Sequence, residues 1–163
     1  MKKILLTLVL TFVWGCSTGF AAPVNYMSAD QTAVGIATDN FFLKHKFSDT
    51  FTVGYQNINW DHAPNSSDIY GHYHFSRTFG GIVGVRDFGD TSDTYVGVSV
   101  HAPLAPKWDG YASIIGGSDF KELEAGANVM ISRKFDLNIF YRSFMPDYGE
   151  DNNKVGASAI FKL

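Results

Sequence analysis

Apolar side chains recur at every second position in successive short segments of this chain, and this alternation limits the possible folds more than any other feature. In "TYVGVSVHA" it places Val96, Val98 and Val100 on one face of an extended strand. The segments "LEAGANVMI" (123–131) and "LNIFYRS" (137–143) alternate in the same way. A period of two predicts β-strands, and no segment beyond residue 30 shows the 3.6-residue apolar period of an amphipathic helix. The sequence therefore predicts an all-β fold.

Turn signals divide these strands into hairpins. Four short turns lie within "FSDTF", "FSRTF", "LAPKW" and "ISRKF", and their centres are 27 to 29 residues apart. Longer polar loops lie between them, at 61–67, 89–93, 116–122 and 147–153, and a shorter break at 38–40 completes the series. The pattern predicts an antiparallel up-and-down β-barrel of about ten strands, or eight if the first pair is not formed.

Two details of the barrel also follow from the pattern. The last strand, 154–163, is expected to pair with the first, around 31–37, because an unpaired sheet edge in a membrane leaves backbone groups unsatisfied. The alternation is less regular over 51–60 and 108–117, where we expect a bulge or a change of phase.

The first residues have the composition of an export signal. Lys2 and Lys3 precede an apolar run of eleven residues, which is too short to span a bilayer as a helix, and small residues follow. We expect a signal peptide over 1–21 with cleavage after Ala21, a short periplasmic segment over 22–30, and the barrel over 31–163. Cys16 allows an alternative in which it is the lipidated first residue. If it is removed instead, the mature chain has no thiol.

The same alternation would suit a soluble barrel or a transmembrane one. Strands of about 9–11 residues match a tilted bilayer crossing. Aromatic residues also gather at the strand ends, as in the interfacial girdles of membrane barrels. We therefore expect apolar side chains to face lipid and the following residues to form the girdle: Trp60, Tyr70, Phe75, Phe79, Trp108 and Phe135.

The chain ends on "VGASAIFKL", which resembles the C-terminal strand of bacterial outer-membrane barrels. The resemblance rests on Gly156, Ala159, Phe161 and Leu163. It implies recognition by the barrel-assembly machinery and periplasmic chaperones, and contact with outer-membrane lipids and lipopolysaccharide in the bacterial outer membrane. The region from "INWDHAPNSSDIYGHYHF" to "WDGYASIIGGSDF" also resembles the YfaZ-type family of outer-membrane proteins.

Charged and titratable side chains on the inward phase of the strands are the candidate site residues. In "YGHYHFSRTFGG", alternation puts His72 and His74 on the inward face if Tyr73 and Phe75 face lipid. Charged groups facing lipid would cost about 2–4 kcal/mol each, so an inward orientation is favoured. We expect a polar cluster in the lumen made of His72, His74, Arg86, His101, Glu124 and Arg142.

These features favour a non-enzymatic envelope protein whose interior is mostly filled and conducts at most through a narrow channel. Two alternatives remain open: a lipid-modifying hydrolase that uses His72, His74 and Ser76, or a soluble or lipid-anchored periplasmic β-domain. We expect no cofactor and no metal, although His72, His74 and His101 could share a metal ion. A net charge of −3 gives no reason to expect nucleic-acid binding, and a monomer is favoured.

Overall fold

The computed structural model describes residues 27–61 and 64–163, and these form a sheet of ten strands. The expected signal peptide, Cys16 and most of the segment 22–30 lie outside the described residues. No helix in the described ranges is long and apolar enough to cross a membrane. The strands are β1 Gln31–Ala37, β2 Asn40–Lys46, β3 Phe51–Ile58, β4 Ser66–His74, β5 Phe79–Asp87, β6 Ser92–Ala105, β7 Trp108–Gly116, β8 Phe120–Ser132, β9 Phe135–Pro146 and β10 Asn152–Lys162.

Each strand pairs with its sequence neighbours in antiparallel orientation, and β10 pairs with β1 to close a barrel. The seam runs from Ala33 opposite Lys162 to Ala37 opposite Ser158. The prediction of a closed ten-stranded up-and-down barrel is therefore confirmed. We call the end with the connections 47–50, 75–78, 106–107 and 133–134 the turn end, and the opposite end the loop end.

The two irregularities in the ladder lie at the turn end. Register shifts occur between Pro103 and Ala105 and between Met130 and Ser132. The expectation of an irregularity within 51–60 was wrong, because β3 pairs with both neighbours without such a shift. At 108–117 the shift between β6 and β7 falls opposite Trp108 and Asp109, and the additional residue lies on β6, not on β7. The apolar/polar alternation of those segments is interrupted because Ile58 and Ile115 are apolar residues at inward positions.

The apolar side chains point away from the barrel axis. Ile69 and Val96 are 64% and 67% exposed, although both lie in the middle of long strands. Charged residues at alternate positions are buried, among them Arg86 and Arg142 at 0% exposure. A water-soluble domain has the reverse arrangement, so this outward apolar surface requires an apolar surrounding.

Five inward-facing aromatic rings lie against glycines directly opposite them on the neighbouring strand. A Cβ atom placed on Gly84 would come within 2.5 Å of the Tyr95 ring, and one on Gly54 within 2.3 Å of the Tyr70 ring. Only a residue without a side chain leaves room for the ring at these positions. Each loop-connected hairpin contains one such pair: Gly35 and Phe42, Gly54 and Tyr70, Gly84 and Tyr95, Gly126 and Tyr111, and Gly156 and Phe140.

Candidate functional site in the barrel interior

An ion network crosses the lumen near the loop end. Arg86 lies on β5 directly opposite Asp68 on β4. Its Nε and Nη2 atoms donate to the two carboxylate oxygens of Asp68, each at 2.7 Å, and its Nη1 donates to Glu122 on β8. This paired geometry holds the guanidinium in one orientation. Arg86 therefore ties β4 and β5 to a strand on another part of the wall.

Arg142 forms the second half of the network. It lies opposite Glu124 in the register of β8 and β9, and donates to Glu124 Oε2 from Nε at 2.9 Å and from Nη2 at 2.5 Å. Its Nη1 donates to Asp39 Oδ2 at 3.2 Å, and its Nε lies 3.4 Å from Glu122 Oε1. Glu122 thus joins the two halves. The predicted cluster of Arg86, Glu124 and Arg142 is one network, linked by carboxylates that the sequence analysis did not select.

Negative charge exceeds the arginine charge in this network. Among the described residues, two guanidinium groups face four carboxylates, those of Asp39, Asp68, Glu122 and Glu124. Lys44 is also buried and interacts electrostatically with Glu124. Asp39 lies in the loop beyond β1, where burial raises the pKa of its carboxyl, against the opposing effect of the Arg142 guanidinium. Each arginine therefore supplies positive charge to carboxylates that would otherwise be buried without a counter-charge.

An aromatic layer lies against the network. The guanidinium carbon of Arg86 is 4.6 Å from the ring centroid of Phe120, and the rings of Tyr95, Phe144 and Trp60 lie 5.7 to 5.9 Å from it. Trp60 stacks on Phe144 at 4.5 Å, and its Nε1 donates to Ser66 Oγ at 3.0 Å. We call these four aromatic residues together with Arg86 the cap. All five side chains are at most 6% exposed, so the cap is a packed layer inside the barrel at the loop end.

The cap corrects the predicted girdle. Trp60 and Tyr70 were expected at the lipid interface, but they are 6% and 3% exposed and face the interior. A position near a strand end sets how far a ring lies along the barrel axis. The phase of the strand decides whether that ring faces the lumen or the outside. Phe75, Phe79 and Trp108, at the turn end, are exposed on the outside, and Phe135 is half-buried against Phe161; a girdle of these residues stays a prediction.

The predicted histidines lie in the lumen towards the turn end. His72 is buried, and its Nε2 lies 2.7 Å from Ser99 Oγ. His74 is half-buried, and its Nε2 lies 3.1 Å from Thr52 Oγ1. The two rings are 4.1 Å apart. Both histidines therefore bond to hydroxyls on the inner wall.

Ser76 is not brought to these histidines as a nucleophile would be. Its Oγ accepts hydrogen bonds from the backbone N–H groups of Thr78 and Phe79, at 3.1 and 3.0 Å, and so stabilises the tight turn. The serine that contacts His72 is Ser99, which is 2% exposed. Both members of that pair are buried, so neither is presented to a substrate in this structure.

Three further titratable side chains on the inner side of the barrel at the turn end have polar partners. Lys162 Nζ lies 2.6 Å from Asp136 Oδ2, and His101 Nε2 lies 3.7 Å from Asp109 Oδ1. Lys46 Nζ donates to the backbone oxygen of Met27 at 2.9 Å, and Met27 packs inside the barrel. Within the described ranges, no three His, Cys, Asp or Glu side chains are grouped as they would be around a metal ion.

Two of the network residues that the sequence analysis missed carried a usable signal. Asp68 precedes His72 by four positions and Glu122 precedes Glu124 by two, so both share the inward phase assigned to His72 and Glu124. Asp39 carried no such signal, because it lies in a loop, where the alternation of a strand does not apply.

Comparison with known proteins gives a likeness of fold. No protein-family model matches this chain, and no curated protein matches it. Among solved structures, the KdgM porin in complex with disordered oligogalacturonate has a TM-score of 0.50 at 8% identity, over 81% of this chain and 95% of that one. The N-terminal β-barrel domain of Pseudomonas aeruginosa OprF has a TM-score of 0.41 at 11% identity, over 84% and 100%. Neisserial surface protein A has 0.36 at 14%, over 82% and 94%. At such low identity, the likeness to the KdgM porin shows a shared barrel fold and nothing more.

Proposed function

We propose that this protein is an integral barrel of the bacterial outer membrane with a non-enzymatic role, closed in this conformation by its own side chains. One observation carries the proposal: the outer wall is apolar across the middle of the strands, while the buried interior holds arginines, lysines and carboxylates. In hydrocarbon this arrangement is favourable, because the charges in the middle of the described strands are turned away from lipid and the closed sheet leaves no strand edge unpaired.

The orientation proposed places the tight turns and both chain ends in the periplasm and the longer loops outside. Tyr55 and Tyr141 support a membrane interface at the loop end, since both face outward and their hydroxyls donate towards the loops, to Ser67 at 3.4 Å and to Asn153 at 2.9 Å. Amphipathic rings with a polar tip directed away from the apolar band are typical of a membrane interface.

The role of the last strand in assembly is also a proposal. β10 pairs with both β9 and β1, so it is the strand that completes the barrel. Phe161 and Leu163 are exposed on its outer side, and Gly156 receives the ring of Phe140. These features support recognition of this strand by the assembly machinery and chaperones. Membership of the YfaZ-type family and a monomeric state likewise remain proposals.

A closed interior supports a surface or envelope role over solute conduction. The cap and the ion network fill the cross-section at the loop end, and a barrel of about this size has an interior that side chains can fill. The lipid-modifying alternative is weakened by the positions of Ser76 and Ser99. In the proposed orientation, the outward wall contacts lipids and the longer loops contact lipopolysaccharide.

Three experiments test the proposal. In gels run with and without boiling, the folded protein in detergent or vesicles should change mobility, whereas recovery of the mature chain from an aqueous extract would contradict the membrane location. In planar bilayers the unchanged protein should give no stepwise currents of the size expected for an open ten-stranded barrel. A variant carrying His72→Ala and His74→Ala should leave the acylation of lipid A unaltered in cells.

A further inference from the structure

Two hairpins extend beyond the others at the turn end. β6 has 14 residues, β8 has 13 and β9 has 12, against 7 for β1 and β2. In the described residues 102–108 and 130–134, every residue is exposed, whereas buried and exposed residues alternate along the barrel wall. The N–H of Met130 donates to the backbone oxygen of Lys107 at 2.8 Å, so the two tips are joined. We call residues 102–108 and 130–134 the paired tips.

The paired tips present apolar side chains to the outside. Leu104 and Ile131 are 64% and 53% exposed, and Trp108 and Met130 are also exposed. Leu104 lies over Gly110, where an added Cβ would come within 2.9 Å of its side chain, and Trp108 lies opposite Val129 on the outward phase. These side chains therefore continue the outer wall of the barrel beyond its polar lumen.

The charge on the paired tips is positive. They carry Lys107, Arg133 and Lys134, and neither range contains an Asp or a Glu. Lys107 sits at the second central position of a Pro-Lys turn with a φ of 67°, which presents its side chain at the extreme end of the hairpin. The nearest carboxylates in the sequence, Asp109 and Asp136, lie beside His101 and Lys162.

We propose that the paired tips bind anionic phospholipid headgroups of the periplasmic leaflet, an inference that rests on the proposed function. Apolar side chains with Trp108 occupy the boundary of the hydrocarbon, and the three cations beside them reach the phosphates. Lys and Arg side chains near an anionic surface each increase binding by roughly fivefold. Because the attraction is screened over about a Debye length, it weakens as salt is added.

The test uses the full barrel refolded in vesicles of phosphatidylcholine alone or of phosphatidylcholine and phosphatidylglycerol at three to one. The background variant Trp60→Phe leaves Trp108 as the tryptophan of the mature barrel, and its fluorescence is quenched with trace headgroup-labelled phosphatidylglycerol or phosphatidylcholine. We expect several times stronger quenching by the labelled phosphatidylglycerol at low salt, and loss of the difference at high salt.

The triple variant Lys107→Gln, Arg133→Gln, Lys134→Gln should lose this preference, while the control Lys121→Gln, an exposed lysine at the loop end, should keep it. Equal quenching by both lipids in the Trp60→Phe background, or a preference that survives in the triple variant, would overturn this inference and leave the proposed function standing. Failure of the barrel to show a heat-dependent gel shift in either vesicle would instead overturn the proposed function, and this inference with it.

Discussion

Replacement of Arg86 by methionine tests whether the ion network holds the barrel together. Arg86 is fully buried and donates three charge-assisted hydrogen bonds, two to Asp68 and one to Glu122. Removing one partner of a buried ion pair typically costs about 3–5 kcal/mol, because the other charge is left buried. Asp68 keeps a donor in Gln56 at 2.9 Å, and Glu122 keeps Arg142 at 3.4 Å, so we expect a loss of about 3–4 kcal/mol in the free energy of unfolding.

The assay is reversible unfolding of the refolded barrel in denaturant, followed by tryptophan fluorescence and by the heat-dependent gel shift. The compensated variant Arg86→Met, Asp68→Asn, Glu122→Gln carries no unpaired charge, and we expect it to recover all but about 1 kcal/mol. The control Lys121→Met removes an exposed cation 3.8 Å from Asp147 and should cost less than about 1 kcal/mol. A loss below about 1 kcal/mol for Arg86→Met, or no recovery in the compensated variant, would refute the reasoning.

Three further predictions concern the cap, the outer wall and the glycine positions. Trp60→Ala removes a ring of the cap and should give measurable currents in planar bilayers where the unchanged protein gives none. If neither protein conducts, other side chains close the lumen. Ile139→Arg places a charge on the lipid-facing wall and should lower the free energy of unfolding by about 2–4 kcal/mol, measured in vesicles, whereas an unaffected value would argue against a bilayer around that face. Gly84→Ala should destabilise the barrel by about 1–3 kcal/mol through collision with the Tyr95 ring, whereas Gly71→Ala, whose Cβ would meet Phe51 at an ordinary 3.4 Å, should be close to neutral in the same assay.

The fold could be predicted from sequence because hairpin barrels repeat a local signal. Tight turns at nearly equal spacing set the number of strands, and a period of two set which residues of each strand face inward. Arg86, Arg142 and Glu124 were assigned to the interior on this basis, and the structure buries all three. Contacts between distant strands, such as that of Arg86 with Glu122, depend on the curvature of the closed sheet and have no local signal.

Aromatic residues were the main source of error. At the turn end, position and phase agree, so Phe75, Phe79 and Trp108 face outward as expected. At the loop end they conflict, because Tyr70 shares the phase of His72 and is therefore turned inward. Trp60 follows β3 in a loop, where no period applies, and its burial results from stacking on Phe144 across the lumen. An aromatic residue near a strand end is thus placed along the barrel axis by its position, but its position does not show whether the ring faces the lumen or the outside.

The pairing of one glycine with one ring in every loop-connected hairpin has a consequence for how such a barrel can change size. Each hairpin brings one inward ring together with the space for it, so duplication or loss of a hairpin would add or remove a stretch of wall and its ring together. A change in strand number would then have to replace the contacts that join different hairpins, such as those of Arg86 with Glu122 and of Trp60 with Phe144.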